Sequence, residues 1–388
     1  MKRCIAAFAI IFIIIAGSIN ALAANGVSAK SAILIEKDSG RVMFEKNSAE
    51  RLPMASTTKI MTAVVALESN NAQLDKEIEI SDGAAGVEGS SMYLQKGEVM
   101  TLRDLLYGLM LSSGNDAAVA IAEDIAGSQE KFAELMNQKA AEIGMENSHF
   151  TNPNGLPDDN HYSTAADMAR LCAYAMKNET FCDIASTKSY KITGEKTAYP
   201  RALSNHNKLL NMYDGCVGVK TGFTKAAGRC LVSAAQRGGM TLICVTLNAP
   251  DDWRDHMSLF DYGFSTYSYT KVADASRPVC GTAVNGSADG AVPVYPERDI
   301  YYPTADGEGF SDEIEILPEL SAPMKEGEQA GKMHITICKS ESGSKIDSAE
   351  VPLVVKSDVV CAKKTDVKNT SFTRQLKLLF MCWLRLCS

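Results

Sequence analysis

The sequence predicts an α/β protein of the α+β kind: an antiparallel sheet flanked by helices, with a helical subdomain between its strands. A small C-terminal all-β domain and an amphipathic C-terminal helix follow. Three observations carry this reading. Strand-like runs stand at both ends of a region whose middle has helical apolar spacing; Ser276 to Val359 holds only short alternating runs broken by Gly, Pro and Asp; and the last residues form a two-faced helical pattern. With 388 residues the chain exceeds what one core usually reaches, so the expected organisation is a leader at 1–23, a large domain at 24–270, a β domain at 275–365 and a terminal helix at 370–388.

Taken in order, Lys2 and Arg3 precede an apolar run from Ile5 to Ala16 and then Ala21-Leu22-Ala23, the small-x-small pattern of a signal peptide cleaved after Ala23. The run falls short of the roughly 20 apolar residues that span a bilayer. Ala32 to Glu36 and Val42 to Glu45 flank the turn residues Lys37-Asp38-Ser39-Gly40 and read as a hairpin. From Ser56 to Leu67 apolar residues recur as in a mostly buried helix. Thr101 caps a second helix, which ends at the polar break Ser112-Ser113-Gly114-Asn115, and a third resumes near Asp116. Helical patterns follow at Glu130–Ile143 and Thr164–Met176. Cys216–Val219, Cys230–Ala235 and Leu242–Leu247 read as adjacent antiparallel strands, and a helix carries Trp253, Met257, Leu259 and Phe260. In the terminal segment Phe372, Leu376, Leu379, Phe380, Trp383 and Leu386 face away from Arg374, Lys377 and Arg385, which suits a helix lying at a membrane surface.

A net charge of −8, without a basic cluster in the body of the chain, argues against a nucleic-acid partner. Of the 11 cysteines none forms a C-x-x-C pair or a zinc-like cluster with His, so neither a metal site nor a cofactor is expected. Cys230 and Cys244 flank Arg237-Gly238-Gly239 at similar distances. They either face each other across a hairpin or are two separate buried thiols, the second being the stronger reading.

The chemistry starts at Ser56-Thr57-Thr58-Lys59, because residues three apart share a helix face and bring a hydroxyl beside an amine. A lysine serves as base once desolvation or a nearby cation lowers its pKa. The pattern alone is weak, since it recurs at Ser128, Ser268 and Ser342. Ser113-Gly114-Asn115 adds a hydroxyl and an amide in an inter-helix loop, and Lys220-Thr221-Gly222 adds a cation and a hydroxyl at a strand edge. Chance does not readily place all three in this order and context.

These blocks resemble those of the penicillin-binding and serine β-lactamase superfamily, and within it the low-molecular-mass D-alanyl-D-alanine carboxypeptidases. Leu52 to Thr62 is similar to the family's nucleophile block, Ser112 to Ala118 to its second, and Gly218 to Thr224 with Ala227-Gly228 to its third. Asn205 to Leu210 and Asn154-Gly155-Leu156 also look like family segments; the likeness covers about Ser31 to Tyr267 well and the β domain more loosely. It implies a penicillin-binding/β-lactamase-like fold and an exported enzyme that removes the terminal D-Ala from peptidoglycan stem pentapeptides and binds β-lactams covalently, peripheral on the extracytoplasmic face of the bacterial cell membrane or secreted. It also implies that Ser56 is the nucleophile, Lys59 the general base, Ser113 a proton relay, Asn115 a holder of Lys59 and substrate amide, and Lys220 and Thr221 the carboxylate site. Gly222 would line the substrate, and the N–H groups of Ser56 and Phe223 would form the oxyanion hole; His206, in the Asn205 to Leu210 segment, either lines the cleft or is a surface or structural histidine, the second being slightly the stronger reading.

Three other readings compete. A class A β-lactamase needs a loop glutamate, and 148–166 offers Asp158 and Asp159 instead. A D,D-endopeptidase would prefer cross-linked peptides. A penicillin-binding sensor would carry a transmembrane signalling segment. A Ser/His/Asp triad finds no support around His149, His161, His206, His256 or His334, and no G-x-S-x-G elbow surrounds Ser56.

Overall fold

A computed structural model describes residues 26–69, 73–194 and 197–362. The expected signal peptide at 1–23 and amphipathic helix at 370–388 lie outside the described residues. The chain divides into two compact units after Thr266.

In the first unit, β1 (Ser31–Glu36) and β2 (Val42–Lys46) form the expected hairpin. A 3-10 turn (Ala55–Thr58) leads into α1 (Lys59–Ser69), and the short strands β3 (Glu77–Glu79) and β4 (Val99–Thr101) precede α2 (Leu102–Leu111) and α3 (Asn115–Ala126). Then come α4 (Gln129–Ile143), α5 (Ala165–Ala175), α6 (Glu179–Ser186), the hairpin β5 (Ser189–Ile192) and β6 (Arg201–Ser204), and one turn, α7 (Leu209–Met212). The unit closes with β7 (Cys216–Thr224), β8 (Gly228–Arg237), β9 (Met240–Leu247) and α8 (Asp252–Thr266). The main sheet is antiparallel, in the order β2-β1-β9-β8-β7, so β7 is an edge strand. Every residue of β1 and β9 is buried, and α5 and α8 both pack on β1, β8 and β9, so both faces of the central strands are covered.

Helix α1 is buried from Lys59 to Leu67 without a polar face, because α2 to α6 all pack around it. The helix starts are chemically marked as the sequence suggests. The Asp104 amide donates to Thr101 Oγ1, and the Ser128, Thr164 and Asn178 side chains accept likewise. Helix α6, the single turn α7 and the strand pairs β3–β4 and β5–β6 carry no sequence expectation, being too short for a period to register.

The second unit starts with β10 (Tyr267–Ala273), earlier than the expected boundary at 270–275. This strand pairs with β13 (Ile300–Ala305), and no Gly or Pro separates it from α8, so the sequence does not punctuate the change. The remaining strands β11 (Cys280–Thr282), β12 (Val292–Pro296), β14 (Glu308–Ile316), β15 (Gln329–Lys339) and β16 (Lys345–Val355) make a five-stranded sheet, β11-β12-β16-β15-β14. Its core includes Val294, Ile335, Ile337, Val351 and Leu353. Alternation from Met333 to Ile337 buries every second side chain, as the period-2 reading requires.

The facing arrangement of Cys230 and Cys244 does not form. Cys244 lies opposite Ser233, while Cys230 lies opposite Gly222 of β7, and both are buried free thiols. The turn pairs Arg237 with Met240, which puts the two cysteines three residues out of register.

Candidate active site

The turn that presents Ser56 is bent by Ala55, whose φ of 50° lies in the left-handed region. Two side chains hold it closed: Thr57 Oγ1 donates to the Met54 carbonyl at 2.6 Å and Thr58 Oγ1 to the Ala55 carbonyl at 2.7 Å. Two glycines let neighbouring backbones reach it. A Cβ at Gly155, where φ is +87°, would stand 2.1 Å from Ala55 O; one at Gly222 would stand 3.0 Å from Ser56 N.

Lys59, one turn on, is wholly buried. Its Nζ lies 2.9 Å from Ser56 Oγ and donates to Asn115 Oδ1 at 2.7 Å and the Asn154 carbonyl at 2.6 Å. Burial first, and the Lys220 charge second, push this amine well below the usual lysine range, while Asp116 opposes them. A neutral amine has two N–H groups and one lone pair. The two oxygens, which only accept, take the N–H groups, leaving the lone pair for the Ser56 hydroxyl. Asn115 is itself oriented, because its Nδ2 donates to the Glu88 carbonyl at 2.6 Å and so turns Oδ1 toward Lys59.

Opposite stands Lys220 on the edge strand β7, 1% exposed, donating to Ser113 Oγ at 3.0 Å and the Thr221 carbonyl at 2.9 Å. Burial brings its ammonium down to about 7. Ser113, at φ 58°, is placed by the α2–α3 loop. Ser56, Ser113, His206, Thr221, Gly222 and Phe223 all line one cleft of about 530 Å³. His206 is exposed on the cleft wall, and partial desolvation with the Lys220 charge lowers its pKa.

The structure thus brings together every residue expected at the site. It adds Asn154, whose carbonyl ligates Lys59, and Asp116, whose buried carboxylate accepts from Ser91 Oγ at 2.6 Å, Leu94 N at 3.0 Å and Met92 N at 3.1 Å, tying the loop before α2 to the start of α3. Asn154 belongs to a segment visible in the sequence, but a backbone carbonyl leaves no side-chain signal. Arg229, Asp252 and Trp253 also line the cleft and carried no motif. The other S-x-x-K serines lie elsewhere: Ser128 caps α4, Ser268 sits on β10 and Ser342 in a turn of the second unit.

Two buried histidines serve the scaffold. His256 is completely buried, packed with Nδ1 on Ser233 Oγ and with Nε2 2.9 Å from Thr246 Oγ1, and burial lowers its pKa to about 3. His161 braces the nucleophile turn through Thr58 Oγ1 at 2.8 Å. Among the described residues no group of three His, Cys, Asp or Glu side chains could hold a metal.

A hydroxyl beside a desolvated amine, faced by a buried ammonium across a cleft next to an antiparallel edge strand, defines a serine acyl-transfer enzyme of the penicillin-binding type. The chain belongs to the D-alanyl-D-alanine carboxypeptidase family: the model of that description matches residues 19–251, and that of the penicillin-binding protein 5 C-terminal domain matches 267–369. It is a serine-type D-Ala-D-Ala carboxypeptidase with a low-molecular-mass penicillin-binding architecture, and peptidoglycan peptides and β-lactams are the ligands this family implies. It is 36% identical to D-alanyl-D-alanine carboxypeptidase DacF of Bacillus subtilis, over 85% of this chain and 86% of that one. Penicillin-binding protein 5 of Haemophilus influenzae superposes with a TM-score of 0.70 at 30% identity, covering 86% of this chain and 98% of that one. The Streptomyces K15 DD-transpeptidase gives 0.58 at 34%, covering 62% and 98%.

Proposed function

We propose that Ser56 carries the acyl group and that Lys59, Ser113, Asn115 and Lys220 divide the proton and charge handling. Ser56 Oγ attacks the carbonyl carbon of the penultimate D-Ala while its proton passes to Lys59 Nζ, and the oxyanion is held by the N–H groups of Ser56 and Phe223. The C–N bond then breaks. The leaving nitrogen takes, through Ser113, the proton that Lys59 received, so Lys59 is neutral again, and free D-Ala departs, its carboxylate having been held by Lys220 and Thr221. Water attacks the acyl carbon, gives its proton to Lys59, and the stem tetrapeptide leaves as Ser56 regains its hydrogen. The observation that carries this reading is the 2.9 Å contact between Ser56 Oγ and a buried amine whose other two bonds are accepted by oxygen. A β-lactam enters the same step, but its cleaved amide nitrogen stays tethered, so the acyl-enzyme persists.

The experiment is mass spectrometry of the penicillin adduct together with product analysis on a defined pentapeptide. Ser56→Ala should give neither adduct nor free D-Ala, and an adduct on that variant refutes the assignment. Comparing pentapeptide with cross-linked dimer separates carboxypeptidase from endopeptidase action. We further propose that the enzyme works outside the cytoplasm, after removal of 1–23, with the segment from Phe372 onward as a membrane-surface anchor. The apolar and basic faces of that segment support this. Deleting it should release the protein from anionic vesicles with the acylation rate retained.

A further inference from the structure

The carboxylate-binding end of the cleft lies at Lys220 and Thr221, so the rest of an extended stem peptide must leave Ser56 in the other direction, along β7 toward Phe223. Gly222 lies against Ser56 N, which sets the level of the reacting carbonyl. The next stem residue toward the N-terminus, the third of the pentapeptide, then sits about one strand residue, roughly 3.4 Å, further on, level with Phe223. Phe223 is paired across the sheet with Arg229. Arg229, Asp252 and Trp253 line the same cleft as Ser56 and Phe223.

The pair is built unevenly. Asp252, 3% exposed, receives Arg229 Nε at 2.9 Å, Arg229 Nη2 at 2.7 Å and the Trp253 amide at 2.9 Å, all on Oδ1. Among the described residues no hydrogen bond ends on Oδ2. The Arg229 side chain is 41% exposed, and its guanidinium lies 5.6 Å from the centre of the Trp253 ring. A bidentate pair would use both carboxylate oxygens. This one keeps an acceptor and part of a guanidinium edge for something else. Burial already raises the Asp252 carboxyl, against the pull of Arg229, so a further donor on it would be welcome.

We infer that Arg229 and Asp252 form the subsite for the side chain of the third stem residue, and that they select one ending in an amino-acid head over one ending in an ammonium alone. This rests on the carboxypeptidase reading. A head with one carboxylate and one ammonium places the first on Arg229 and the second on Asp252 Oδ2. It brings no net charge to desolvate. A lone ammonium meets an aspartate already neutralised by a cation beside it, and an amidated head loses the charge that Arg229 reads.

The test uses three pentapeptides that differ only at the third residue: meso-diaminopimelate, its side-chain carboxamide, and L-lysine. The quantity read is the ratio of kcat/KM values for D-Ala release within one enzyme preparation, so an overall loss of activity cancels. The intact enzyme should favour the free diaminopimelate peptide over each of the others by about ten-fold or more, the scale of a site whose polar groups would otherwise be left unpaired. Arg229→Gln should bring the free-acid to carboxamide ratio close to one, and Asp252→Asn should shrink the advantage of the free acid over both. Equal kcat/KM on all three peptides, or a preference that survives both substitutions, overturns the inference while leaving the carboxypeptidase reading intact. Absence of D-Ala release from all three removes that reading and the inference with it.

Discussion

Replacing Gly155 with alanine puts a methyl group where the backbone of the nucleophile turn already runs. The added Cβ would stand 2.1 Å from Ala55 O, 2.4 Å from Ala55 C and 2.9 Å from Ser56 N, and none of these atoms belongs to a side chain that can swing away. Restoring ordinary contact requires the turn to move by about 1 Å. A displacement of that size at a reacting group costs about a hundred-fold in rate, or about 2.7 kcal/mol of transition-state stabilisation. The left-handed φ of +87° adds about 1 kcal/mol of conformational penalty. Gly127→Ala separates the two effects, because Gly127 has φ +79°, caps α3 and has nothing within 4 Å of the added Cβ. Both variants should melt a few degrees lower. Only Gly155→Ala should lose about a hundred-fold in the second-order rate of acylation by a fluorescent penicillin. A folded Gly155→Ala protein acylating within about three-fold of the parent rate would refute the reasoning.

Further consequences follow from burial and charge. Burial lowers the Lys220 ammonium to about 7, and the carboxylate-holding role proposed for it needs the protonated form, so kcat/KM on a free-acid pentapeptide should fall as pH rises through that value. Lys220→Arg keeps its charge and should move this limb upward. The same depressed pKa means that the unfolded chain binds the extra proton between about pH 7 and the usual lysine range, so folding stability rises with pH there. Lys220→Met should therefore be more stable than the parent at pH 7 by a few kcal/mol, with the gain shrinking toward pH 10 in urea titrations. Glu98 and Arg201 form an ion pair with side chains 3% and 4% exposed, their charged atoms 2.6 Å apart. Arg201→Ala leaves a buried carboxylate without its cation, held only by the Gln95 and Ala198 amides, and should cost about 3–5 kcal/mol, whereas a paired replacement of both by methionine should cost less.

What could be read directly from the chain was whatever is encoded over a few residues. Ser56 and Lys59 share a helix face by spacing alone, Thr101 announces its helix, and the turn after Lys37 announces its hairpin. Strand β10 and helix α6 escaped because one follows a helix without a break and the other is barely two turns long. The stronger reading of Cys230 and Cys244, two separate buried thiols, agrees with the structure; the weaker one, a facing pair, fails because similar distance from a turn says nothing about register, which here pairs Arg237 with Met240.

The sequence by itself determined the chemical types and their order: a hydroxyl and an amine one turn apart, a serine and an asparagine in a helix–helix loop, and a lysine and a threonine on a strand. Tertiary structure decided what those groups can do. Only packing strips water from Lys59 and Lys220 and so lowers both amines; only the close approach of Gly155 brings the Asn154 carbonyl to Lys59 Nζ. Strand pairing alone sets Arg229 level with Phe223. Acidity and subsite shape depend on burial and on contacts between residues far apart in the chain, and neither quantity exists until the chain has folded.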